Sequence, residues 1–191
     1  MTPGHAASGS GVSSRYPSGS GVAFARRFEC CPLVTDRTRP IRWYWEDFPV
    51  GNVREFGAYE VTREAVLAFA SQFDPQPFHL DDEAAKASLF GALSASGWHT
   101  CAMAMRMMCD DYLLESSSLG SPGLEKLSWT KPVYPGDTLH VRLEVLESRA
   151  LASRPGVGLI RSRWNVMNQD DETVLLMEGY GMFRRRAPAA P

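Results

Sequence analysis

From Ile41 onward the chain shows two textures in turn, apolar residues at every second position and apolar residues at every third or fourth. Residues 53–61 alternate as a half-buried strand does. Thr62 then stands as an N-cap before REAVLAFASQF, where Val66, Phe69, Ala70 and Phe73 share one face of a helix predicted over about 63–73. Asp74-Pro75-Gln76-Pro77 stops that helix, because proline lacks a backbone donor and pushes the residue before it toward extended angles. An irregular loop with Phe78, His79 and Leu80 follows, and Asp81 caps a short helix in DEAAKASLF. GALSASG feeds a longer helix over about 97–115, whose WHTCAMAMRMMCDDYLLE is apolar on nearly every side and is expected to be buried all round. Residues 124–129, 138–147, 158–168 and 173–184 are extended in character and separated by turn chemistry such as Tyr134-Pro135-Gly136-Asp137, Arg154-Pro155-Gly156 and Asn168-Gln169-Asp170-Asp171.

One long apolar helix followed by consecutive strands predicts an α+β fold, an antiparallel sheet of about five strands wrapped around that helix. Such a sheet leaves edges, which are usually managed by pairing or covering, so a homodimer or higher homo-oligomer is expected. The folded domain is expected over 41–186, opening with the aromatic group Trp43, Tyr44, Trp45 and Phe48. Residues 1–40, rich in Ser, Gly, Pro and Arg and without either period, are expected to form a disordered tail, as is the short stretch 187–191. Arg15, Arg26 and Arg27 ahead of the first acid, Glu29, loosely echo an organelle transit peptide, but a flexible tail is the better reading.

Composition narrows the function. At 191 residues, 44% hydrophobic, the chain has material for one full-size core. A net charge of -2, with no basic patch interleaved with aromatics, argues against a nucleic-acid partner. No apolar run approaches a membrane span and no secretory apolar stretch opens the chain, so a soluble cytoplasmic protein without a membrane partner is expected. Cys30, Cys31, Cys101 and Cys109 lack CxxC spacing, and His5, His79, His99 and His140 are scattered, so no metal site is expected and the thiols read as free.

The chemistry concentrates in Phe73-Asp74-Pro75-Gln76-Pro77-Phe78-His79-Leu80-Asp81. Two prolines stiffen this loop, so the Asp74 carboxylate and the His79 imidazole are presented with little freedom left to lose. A carboxylate and a histidine sharing one water can take a proton from it and deliver one to carbon. Addition of water to an enoyl thioester also needs a donor for the thioester oxygen as enolate charge develops. Gly97, opening the long helix, can offer its backbone N–H and allows close approach.

These residues resemble the MaoC-like dehydratases, the hot-dog family that includes the (R)-specific enoyl-CoA hydratases. The family's Asp-x-Asn-Pro-(Ile/Leu)-His-x-Asp is matched by Asp74 through Asp81, its His-Gly step at the start of the central helix by Ser96-Gly97, and its Pro-Val-x-x-Gly-Asp turn by Pro132 through Asp137. The likeness covers about residues 43–185 and implies a hot-dog fold acting on a coenzyme A or acyl-carrier thioester without metal or redox cofactor. It implies Asp74 and His79 as the catalytic pair, Gly97 as the donor to the thioester carbonyl, and Gln76, Phe78 and Trp98 as further substrate contacts. Three positions depart from the family pattern: Gln76 stands for Asn, Ser96 for His, and Met105 near the place of a helix serine that supports the active-site hydrogen bonds. Hydrolysis of the thioester and non-catalytic acyl-CoA binding are the alternative functions on the same fold.

Other candidates read as structural. His99 is expected to be a satisfied core or interface histidine, and Met103, Met105, Met107 and Met108 to fill the core, with an acyl pocket beside them compatible with that. Arg184, Arg185 and Arg186 are expected at a solvated strand end rather than on phosphates, and Asp81 and Asp82 as helix-start charges.

Overall fold

A computed structural model describes residues 39–186. The expected tails therefore lie outside the described residues, Arg39 and Pro40 apart, and Cys30 and Cys31 lie outside them too.

The described chain runs β1 (Val53–Glu60), α1 (Arg63–Phe73), α2 (Asp82–Lys86), α3 (Gly97–Asp111), β2 (Leu124–Trp129), β3 (Thr138–Leu151), β4 (Arg154–Met167) and β5 (Thr173–Arg184). Single 3-10 turns occupy Trp45–Asp47, Pro77–His79 and Leu113–Glu115. The strands form one antiparallel sheet in the order β1-β3-β4-β5-β2, so β1 and β2 are its edges. This is the α+β, hot-dog arrangement, with α3 laid across one face of the sheet. Along β3 the buried Leu139, Val141, Leu143 and Val145 alternate with outward residues, as the period of a strand with one covered face requires. They meet Met103, Ala104 and Met107 of α3 in the same core, which also holds Val166, Leu175 and Phe183. Gly57 lies in a bulge of β1 with φ +89, directly over Met107, where a Cβ would fall 2.4 Å from the sulfur.

Helix α3 ends at Asp111 rather than near 115, the chain passing into a 3-10 turn. Asp110 and Asp111 sit at the negative end of the helix dipole, and Asp111 is drawn instead to Arg54 at 2.7 Å. Nor is α3 buried all round: Met103, Ala104, Met107 and Met108 face inward, whereas Trp98 and Met105 are exposed. The hairpin between β3 and β4 turns at Ala152 and Ser153, earlier than Arg154-Pro155-Gly156. Leu151 pairs with Arg154 and Ala150 with Gly158, so Pro155 is carried on a bulge where its missing N–H costs no ladder bond.

Arg184 and Arg186 are exposed at the end of β5, as a solvated strand end would be, but Arg185 and Arg186 also make specific contacts. Arg186 donates to Asp47 at 2.7 Å and its backbone N–H to Glu46, while Arg185 lies 5.1 Å over the Trp45 ring. Arg185 and Arg186 thus bind the end of β5 to the aromatic turn that opens the domain.

Candidate active site

Thr62 caps α1 by accepting from the Ala65 N–H at 3.2 Å, and the helix runs to Phe73 as its pattern predicts. Asp74 is the C-cap, its N–H still bonded to the Ala70 carbonyl at 3.0 Å. Around Pro75 the Gln76 N–H turns back to the Asp74 carbonyl at 2.8 Å, and Gln76, extended ahead of Pro77, leads into the Pro77–His79 turn. The loop thus spends its backbone groups on itself and keeps two side chains for the cavity.

The buried His79 places Nδ1 2.8 Å from the Ser94 carbonyl. A carbonyl oxygen only accepts, so Nδ1 carries the proton and Nε2 is turned toward Asp74 Oδ2, 3.6 Å away. That gap is too long for a direct hydrogen bond and wide enough for one water to touch both atoms. Ser94 is held in its turn, because the next residue, Ala95, donates its N–H to the Val133 carbonyl at 2.8 Å. Phe78 packs edge-on against the imidazole at 4.6 Å, and Phe90 lies 6.0 Å from it, closer to parallel, and 5.3 Å from Phe78.

Asp74 has a donor on each oxygen. Gln76 Nε2 reaches Oδ1 at 2.7 Å and the Ser96 hydroxyl reaches Oδ2 at 2.7 Å. The Ser96 hydrogen bond first, and then the Gln76 hydrogen bond and the electrostatic influence of the nearby His79, hold this carboxyl below the usual carboxylate range against an opposing effect of partial burial. Ser96 is also the N-cap of α3 and accepts from the Trp98 N–H at 3.2 Å. Gly97 is the first helical residue, so its N–H is among those with no acceptor inside the helix, and it borders the same cavity. Trp129 donates from its indole to the Gly97 carbonyl at 2.9 Å, and its ring leaves no room for a side chain at 97.

The cavity has a volume of about 420 Å³ and a mainly apolar wall. The structure brings Asp74, Gln76, Phe78, His79, Gly97 and Trp98 to its border together, and Trp98 stands at the rim, 60% exposed and edge-on to Trp129 at 5.3 Å. Sequence reasoning named Ser96 only as a departure from the family's His, and missed its contact with Asp74 as well as Trp129, Phe90 and the Ser94 carbonyl. Ser96 carries a legible capping signal, a serine just before a helix, but its contact with Asp74 spans 22 residues and leaves no local trace.

Met105, near the place of the family's helix serine, lies away from Asp74 and lines a second cavity of about 450 Å³ between α3, β2 and β5. Met108 borders that cavity as well, whereas Met103 and Met107 belong to the core. His99 is buried and stacked on Phe69 at 4.7 Å, but its Nδ1 has no hydrogen-bond partner, so it is not the satisfied histidine expected. Cys101 and Cys109 are free, half-buried thiols, and burial raises both. Asp81 and Asp82 do serve a helix start, Asp81 accepting from the Ala84 N–H at 2.8 Å and Asp82 pairing with Arg63. Among the described residues no group of three or more His, Cys, Asp or Glu side chains is clustered as a metal site, and no helix is long and apolar enough to cross a membrane.

Comparison with known proteins places these features. The family model described as a MaoC like domain matches residues 47–160, more than half of the chain. A MaoC-like dehydratase from Rhodospirillum rubrum, known by crystal structure, is 40% identical, with a TM-score of 0.71 over 76% of this chain and 99% of that one. The uncharacterised protein YdeM of Bacillus subtilis is 27% identical over 68% of this chain and 90% of its own length. The R-hydratase PhaJ1 from Pseudomonas aeruginosa shares the fold at a TM-score of 0.57 and 24% identity, over 78% of this chain and 93% of that one.

Proposed function

This chain belongs to the MaoC-like domain family, and from that premise we propose that it adds water to, or removes it from, the 2,3 double bond of an acyl thioester carried on coenzyme A or an acyl carrier. The observation that carries the reading is the approach of His79 Nε2 to Asp74 Oδ2, 3.6 Å apart at the cavity wall and within reach of one water.

In the hydration direction the thioester oxygen lies at the Gly97 N–H, at the positive end of α3, where the amide meets the negative charge that develops as the enolate forms. The water between Asp74 and His79 gives a proton to the pair and its hydroxide to the β-carbon. The proton held by the pair then goes to the α-carbon, the enolate returns to a thioester, and both side chains end as they began. Gln76 holds the outer oxygen of Asp74, and Phe78 and Trp98 shape the wall beside the acyl group. Written this way the reaction is redox-neutral and calls on no metal or redox cofactor.

The chain also presents a surface suited to a second copy. Edge strand β2 pairs only with β5 among the described strands, and Leu124 and Trp129 of that strand are exposed beside Trp98 and Met105 of α3. A homodimer that continues the sheet across β2 covers all four.

The test is turnover of trans-2-enoyl-CoA thioesters, read as loss of the enoyl absorbance, by the wild type, Asp74→Asn and His79→Ala. Each substitution is expected to lower turnover by at least ~100-fold in a chain that still unfolds cooperatively. Wild-type rates in both variants, or release of free coenzyme A from saturated acyl-CoA without loss of the enoyl band, overturn the reading.

A further inference from the structure

Asp74 is the single carboxylate bordering the cavity among the described residues, and its chemistry depends on which oxygen faces His79. That oxygen is Oδ2, the one that Ser96 holds at 2.7 Å. The two donors on Asp74 are not equivalent. Gln76 is exposed, lies two residues away in the same loop, and moves with Asp74 if that loop moves. Ser96 is fully buried, comes from a different element, and is the chain neighbour of Gly97.

The proton of Ser96 has one direction to point. Its oxygen accepts the Trp98 N–H at 3.2 Å, so the hydroxyl's one hydrogen is free for Asp74, and the chain from amide to hydroxyl to carboxylate is polarised in a single sense. The start of α3 adds positive potential at the same spot, which favours an ionised carboxyl.

We infer that Ser96 is a positioning residue that locks the Asp74 carboxylate to the helix start bearing the Gly97 amide, so that the water-activating oxygen and the oxyanion donor keep one geometry. The inference rests on the hydratase reading of the site. Ser96 touches neither water nor thioester in this role; it acts through Asp74. It explains why a buried serine stands between the base and the oxyanion donor, where a capping role alone needs no partner 22 residues upstream.

The experiment compares the wild type, Ser96→Ala, Ser96→Thr and Asp74→Asn on crotonyl-CoA and longer trans-2-enoyl-CoA thioesters, with kcat and KM measured across pH. The Asp74 carboxyl is titrated in parallel by carbon-13 NMR of the full chain. Ser96→Ala is expected to lower kcat by about tenfold or more, as misorientation of a reacting group does, with KM changed by less than about threefold. It is also expected to move both the acid limb of kcat and the Asp74 titration to higher pH, and Ser96→Thr, which keeps the hydroxyl, to restore all three. If Ser96→Ala does not fold, Ser96→Cys, similar in size and a weak donor, takes its place. An unchanged kcat and an unmoved Asp74 titration in Ser96→Ala overturn the role of Ser96 while Asp74→Asn remains inactive. A fall in kcat with both pH readouts unmoved reduces Ser96 to a helix cap and likewise overturns it. Wild-type turnover in Asp74→Asn overturns the hydratase reading itself, and the inference with it.

Discussion

The Trp129 indole donates to the Gly97 carbonyl at 2.9 Å and at the same time fills the space above the Gly97 α-carbon, where a Cβ would fall 2.6 Å from the ring. The glycine carbonyl is therefore held by the indole while the residue borders the cavity. Gly97→Ala forces either the indole or the start of α3 to shift. The expected result is a fall in kcat/KM of about 100-fold from a displaced oxyanion donor, with a loss of stability of about 1–3 kcal/mol from the overpacked contact. Steady-state kinetics and a urea titration check both numbers, and unchanged kinetics would remove Gly97 from the site.

Asp74 makes acid stability specific to this site. Its carboxyl is held below the usual range by the Ser96 hydrogen bond above all, so folding favours its ionised form. That contribution is fully present above the unfolded carboxylate value of about 4 and is lost as pH falls from there through the folded value. The stability difference between the wild type and Asp74→Asn should therefore shrink as pH drops below about 4 and be constant above it. Chemical denaturation of both proteins at a series of pH values reads this directly, and a gap that widens on acidification contradicts it.

His99 makes the opposite kind of demand. Burial lowers its pKa, so the folded protein favours the neutral imidazole stacked on Phe69. For a base lowered by folding, the unfolded chain binds the proton first, and stability falls as pH drops below the unfolded value of about 6.5. The decline levels off once the folded value is passed. His99→Phe keeps a ring against Phe69 and removes the titration, so its stability should be flat where the wild type declines. An NMR titration should place the His99 midpoint below about 6.5; a midpoint above that value would be a failure of the argument.

How much of this was legible in the chain depends on how local each feature is. Helix α1 and its cap came from residues a few positions apart, and so did the pairing of Asp74 with His79, because two prolines between them leave few ways to arrange the loop. The strands were legible from alternation, but Pro155 was read as a turn, since nothing near it reveals that Leu151 pairs with Arg154. Ser96 and Trp129 escaped because their partners, Asp74 and Gly97, lie far away in sequence and meet them only when α3 packs on the sheet. The apolar outer face of α3 was read as buried from composition alone, and only the geometry shows that this chain leaves it open.

That open face supplies the last prediction. Trp98 and Met105 sit two turns apart on one stripe of α3, and Leu124 and Trp129 lie on the neighbouring edge strand, so the four make one apolar surface along a sheet edge without a partner strand among the described residues. An interface between two copies here would place residues 105 and 124 out of water, where a charge without a partner costs several kcal/mol. Met105→Glu and Leu124→Lys are each expected to raise the dimer dissociation constant by at least ~100-fold, because a penalty of a few kcal/mol is counted twice across a two-fold axis. Glu125→Gln, on the same strand but paired with Tyr180 and Arg161 on the outer face, should leave it within about threefold. Sedimentation velocity over a range of concentrations distinguishes the outcomes: a wild type that stays monomeric, or a dimer indifferent to both charges, would place the second copy elsewhere.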